Sequence, residues 1–139
     1  MKARVAAFLG AAAILAAACG ETTGITIADL VGTWNATKLE FTNKSNPLQK
    51  VDVVPLGARL TIVVEPSGRA ISTFSFQDFS DVDTSQIVIR GDTLLVDDRR
   101  LLFTLSGNTL TITDNNEGFD FNQDGAEEPA TLLAVLLRQ

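Results

Sequence analysis

Histidine and tyrosine are absent from this 139-residue chain, and cysteine, methionine and tryptophan occur once each. Without histidine, a His-assisted Ser or Cys triad cannot be assembled, nor can a His-ligated zinc or non-haem iron site. A single cysteine rules out an intrachain disulfide. Basic residues are also few. Lys2 and Arg4 stand in an N-terminal segment that reads as cleaved, which leaves nine basic residues against seventeen acidic, about −8. An acidic surface of this kind repels phosphate backbones, so nucleic acid is not an expected partner, and there is no polybasic patch for a membrane surface. Carboxylate pairs remain. Asp81 and Asp83 read as one side of a loop, as do Glu127 and Glu128. Solvation of an acidic surface accounts for such pairs. The expectation is a protein that is not an enzyme and requires no cofactor.

One uncharged, largely apolar run is present. After Lys2 and Arg4, residues 5–18 carry no charge, a stretch of about 14 residues. That falls short of the ~20 needed to cross a bilayer as a helix. With Ala16, Ala17 and Ala18 before Cys19, it reads as a secretory signal. These residues resemble the bacterial lipobox, in which the cysteine is lipidated and becomes the new N-terminus. Leu15 stands four residues before Cys19, where the lipobox prefers Leu three before it. Ala16 and Ala18 also fit ordinary cleavage at the same bond. The resemblance implies a diacylated Cys19, since two chains hold a protein at a membrane where one does not. Gly20 follows the cysteine, with no Asp there, which resembles outer-membrane sorting in a Gram-negative envelope. The chain then divides into a signal at 1–18, a tether at 19–26 and one domain at 27–139. About 120 residues can bury a single core without disulfides.

Within the domain, residues 27–31 read as a short helical turn. From Trp34 onward, period-two alternation recurs between tight turns. Strand one covers about 33–41. Trp34 and Ala36 share one parity and Leu39 and Phe41 the other, which predicts a bulge between them. A second strand is expected over 49–54, and Leu60, Ile62 and Val64 mark a third. Pro66, Ser67 and Gly68 form a turn, Ala70, Ser72, Phe74 and Phe76 share the next inward face, and Ile87 and Ile89 lead to a hairpin at Gly91-Asp92. Leu94 and Val96 return to Asp97-Asp98. Leu101, Phe103 and Leu105 then run to a hairpin at Gly107-Asn108, followed by Leu110 and Ile112. A polar stretch over 114–128, with a short strand near 119–121, precedes a last apolar strand over 130–138. No segment has room for a crossover helix, so the sheet should be antiparallel. A meander of about eight to ten short strands closes to remove its edges. The fold class is therefore all-β: a small up-and-down barrel with an N-terminal helical turn.

Gly32-Thr33-Trp34, the turn before it, the meander and the terminal Arg138 together resemble the lipocalin-like barrels. In that family the opening Trp plugs one end and an Arg near the end of the last strand stacks on it. The resemblance therefore assigns Gly32, Trp34 and Arg138 as fold markers. It also departs from the family: the chain ends at the last strand, where full-length lipocalins usually continue into a helix, which puts a deep ligand cup in doubt.

An eight-stranded barrel is just wide enough to be filled by side chains or to hold one small ligand. Ala70 and Ser72 beside Phe74 and Phe76 are the candidate lining of such a space, for a small hydrophobic molecule. The alternative is a filled barrel, a structural or interaction lipoprotein that meets a partner through its loops. Separately, Asp120, Asn122 and Asp124 followed by Gly125 match the first half of the calcium-loop pattern Asp-x-Asn-x-Asp-Gly. In that register the Ala126 carbonyl and Glu128 supply later ligands. The twelfth position is Thr131, where an EF-hand has a bidentate Glu, so calcium affinity near ~10⁻⁴–10⁻³ M is expected. A solvated acidic hairpin held by Asx-turns is the competing reading.

Overall fold

The computed structural model describes residues 24–139. The expected signal, Cys19 and tether residues 20–23 lie outside the described residues. A helical turn, α1 (Ile27–Leu30), leads into β1 (Gly32–Asn43), β2 (Lys50–Asp52), β3 (Arg59–Val64), β4 (Arg69–Phe76), β5 (Phe79–Arg90), β6 (Thr93–Val96), β7 (Arg99–Ser106), β8 (Thr109–Phe119) and β9 (Glu128–Arg138). Every pairing is antiparallel. From β3 to β9 each strand pairs with the next, and β1 pairs with both β3 and β9, so eight strands close a barrel. β2 extends the β1 edge beyond the point where β3 stops. Closure leaves no long sheet edge to template association.

The parity switch in β1 is a bulge. Its register against β9 slips between Ala36 and Lys38, which leaves Thr37 as the extra residue. The slip lets Trp34 on one side and Leu39 on the other both be buried. The hairpins at 91–92, 97–98 and 107–108 form where the turn residues indicate, with positive φ at Gly91, Asp97 and Gly107.

Three segments differ from the sequence expectation. Asp81 and Asp83 are on a strand rather than a loop: they sit in β5 opposite Phe74 and Ser72. Residues 79–84 are all exposed and the inward positions after Phe79 are Asp81 and Asp83, so no apolar alternation marks the strand. β8 runs on to Phe119, carried past its polar residues by a register slip between Asp114 and Glu117. β2 is only three residues long. Asp52 Oδ1 accepts from the amides of Leu39 and Val54 at 3.1 Å each, and this side-chain bonding turns the chain out of the ladder.

One end of the barrel is sealed. The β3–β4, β5–β6 and β7–β8 turns lie at this end, with α1 packed over it. Trp34, Leu30 and Leu136 are its fully buried side chains. Trp34 Nε1 donates to the Leu30 carbonyl at 2.8 Å. The Arg138 guanidinium lies 4.2 Å from the Trp34 ring centre and donates to the carbonyls of Asp29 and Val31. Gly32 makes this possible. Its φ is +135°, and a Cβ there would stand 3.0 Å from Arg138 Nη1. The entry to α1 is held by the Thr26 amide and hydroxyl, which donate to Asp29 at 2.7 and 2.9 Å. These bonds keep the Asp29 carboxyl below its usual range.

Trp34→Ala is expected to cost about 3–5 kcal/mol, the range for deleting a buried aromatic. A denaturant midpoint equal to the parent's would show that the plug contributes no stability.

Candidate functional site

Inside the barrel is a cavity of about 240 Å³. Its lining alternates along each strand, as the period of a sheet requires. At the sealed end it is apolar, with Leu30, Val64, Leu94 and Leu110. Toward the opposite end, where the β4–β5, β6–β7 and β8–β9 connections lie, Ser72, Asp83, Ser85, Arg99, Asp114 and Glu117 enter the wall. The space is therefore amphipathic along the barrel axis.

The polar side of the wall is organised around Arg99, whose Nη2 donates to both Asp114 and Glu117. Asp114 is nearly fully buried, and its other carboxylate oxygen accepts from the Asn116 amide at 2.9 Å. The Glu117 carboxylate is the main reason the Arg99 guanidinium is held above its ordinary value, against the cost of burial. It therefore remains a cation. In a regular strand, residues three apart face opposite sides. The β8 slip between Asp114 and Glu117 reverses that parity and turns both carboxylates inward onto one arginine. Across the opening, Asp83 stands opposite Ser72 in the β4–β5 ladder and enters none of the ion pairs among the described residues.

Of the four expected lining residues, Ala70 and Ser72 border the cavity. Phe74 and Phe76 lie further along the same face. Phe74 is tilted against Phe79 with ring centres 6.3 Å apart, and Phe76 packs half-buried against the core. The cavity wall is aliphatic and polar, with no aromatic ring among its lining residues. Arg99, Asp114 and Glu117 were not singled out from the sequence. Parity carried back from Leu101 places Arg99 inward, and parity carried forward from Ile112 does the same for Asp114. Glu117 depends on the bulge, which two consecutive asparagines do not announce. A second unanticipated feature is the aromatic stack of Phe41 on Phe119, with ring centres 4.6 Å apart, and Phe119 edge-on to Phe121 at 4.9 Å.

The acidic β8–β9 loop brings part of the expected calcium set together. Carboxylate oxygens of Asp120, Asp124 and Glu128 lie within 4.8 Å of one another. A cation bound at 2.3–2.6 Å from each oxygen fits such a spacing. The loop also satisfies itself. Asp120 accepts from the amides of Asp124 and Gly125 at 3.1 and 2.9 Å, and Glu128 accepts from the Phe121 amide at 2.8 Å. Asn122 Oδ1 accepts from the Asp124 amide at 2.9 Å, and the Ala126 amide donates to Asp124 at 2.8 Å. Gly125 has φ +90°, which the sharp turn needs. No protein-family model matches the chain, and no curated protein matches it.

Proposed function

We propose that this protein is a lipocalin-like binding module, lipid-anchored in a bacterial envelope, that holds one small hydrophobic molecule inside its barrel rather than catalysing a reaction. The amphipathic cavity carries this reading. It is enclosed by eight strands, sealed at the Trp34 end and bordered by aliphatic side chains. Its volume of about 240 Å³ suits a short-chain molecule. Gly32, Trp34 and Arg138 meet at the sealed end in the arrangement the family resemblance implies. A binder needs no cofactor, in keeping with a chain that lacks histidine.

A partner-binding role has its own observation. Val82, on the outer face of the β4–β5 hairpin, is 63% exposed, which gives a partner contact an apolar anchor at that end of the barrel. Calorimetry separates the two readings. We expect 1-octanol to bind the parent with a stoichiometry of one, and Ser72→Leu, which fills the cavity wall, to weaken it at least tenfold. A barrel that takes up no octanol and instead co-purifies with another envelope protein would favour the partner role.

The anchor is a separate proposal that rests on Cys19 and the apolar run before it. Cys19→Ala is expected to move the protein from the membrane fraction, the outer membrane in a Gram-negative cell, to the soluble fraction. Retention of the variant in the membrane would remove lipidation from the account.

Calcium in the β8–β9 loop is a third proposal, structural in role, carried by the convergence of Asp120, Asp124 and Glu128. At a calcium concentration ten times a millimolar Kd, stabilisation of about 1.4 kcal/mol follows from RT ln(1 + [L]/Kd). The melting temperature should rise accordingly in the parent and not in Asp124→Ala. If calcium moves neither protein, the loop is a turn held by its own amides.

A further inference from the structure

We propose that the molecule this cavity takes is an amphipathic amine, with its chain toward Trp34 and a cationic head at the polar end beside Asp83, Asp114 and Glu117. This rests on the cavity-binding reading above and adds the sign of the ligand's charge.

The inference starts from the charges that border the cavity. Three carboxylates and one guanidinium do so, which leaves an excess of two negative charges. The guanidinium is already engaged, since Arg99 donates to both Asp114 and Glu117. Asp83 has no basic partner among the described residues. Neighbouring basic residues do not correct the balance. Arg59 and Arg100 adjoin the lining residues Leu60 and Leu101, so strand alternation puts them on the outer face. Asp81, two residues beyond Asp83 in β5, has the same inward parity and is exposed. The acidic β8–β9 loop lies at the same end of the barrel.

A ligand entering from that end therefore meets a negative field, which draws cations and repels anions. Once the chain is buried in the aliphatic half, an ammonium reaches carboxylates that have charge to spare. A carboxylate head would have only the remaining donors of Arg99, and to use them it would have to sit among Asp83, Asp114 and Glu117. The neutral case is intermediate: an alcohol gains the burial of its chain and neither the attraction nor the repulsion.

Three probes of equal chain length separate these cases: n-octylamine, which is protonated at neutral pH, 1-octanol and octanoate. Calorimetry on the whole barrel domain at low salt should show octylamine binding about tenfold or more tighter than octanoate, with octanol between them. The spread should narrow in high salt as the rim charges are screened. Asp83→Asn, at an exposed position of β5, should reduce the advantage of octylamine over octanol severalfold. If octanol binds but octylamine is no tighter than octanoate, the charge inference is overturned and the cavity reading stands. If the spread of affinities is unchanged both in high salt and in Asp83→Asn, the rim is not what selects, and the inference is likewise overturned. If none of the three binds, the cavity reading itself fails.

Discussion

The burial of Trp34 beneath Arg138 ties the first strand of the barrel to the last. Trp34 and Arg138 face each other in the β1–β9 ladder, and the guanidinium also reaches back to two carbonyls around the end of α1. One side chain thus stacks on the plug and satisfies backbone acceptors that the short helix leaves open at its end. Gly32 permits the approach, because any Cβ would crowd Arg138 and positive φ disfavours other residues. Closing the sheet and sealing the cavity floor are the same event. Without this contact α1, whose Leu30 borders the cavity, would lose its bonds to the first and last strands.

The polarity of the interior follows from which ends of the strands face that seal. Leu94 and Leu110 open their strands at the Trp34 end, while Arg99 opens β7 and Asp114 falls late in β8, at the other end. Two register slips complete the arrangement. The one at Thr37 allows β1 to bury both Trp34 and Leu39, and the one after Asp114 turns Glu117 inward. A charge pair at a partly open barrel end is less costly than in a sealed core, since Arg99 keeps about half of its side chain in water.

Much of this was legible in the residues. Alternation gave the inward sets of β3, β4 and β7, and Gly-Asp, Asp-Asp and Gly-Asn marked three hairpins. Gly32, Trp34 and Arg138 were assigned through the resemblance to lipocalin-like barrels, in which a Trp opening the first strand meets an Arg near the end of the last. The β5 segment was missed because Asp81 and Asp83 occupy inward positions at a solvated end, where the apolar period that signals a strand is lost. The Arg99 cluster was missed for a related reason. Asp114 and Glu117 are three apart, and only the bulge in β8 puts them on one face. The expected aromatic wall depended on how far Phe74 lies along the axis, and alternation gives the face of a residue but not its depth.

The most direct test of a ligand seated inside the barrel is methyl NMR on the intact domain titrated with n-octylamine. Inward methyls of Val64, Ile87 and Leu94 line the cavity, whereas Val88 and Leu137 point outward and are exposed. The account predicts saturable shifts and ligand NOEs at Val64, Ile87 and Leu94, with Val88 and Leu137 unmoved. Shifts confined to the outward methyls, or none at saturating ligand, would contradict it.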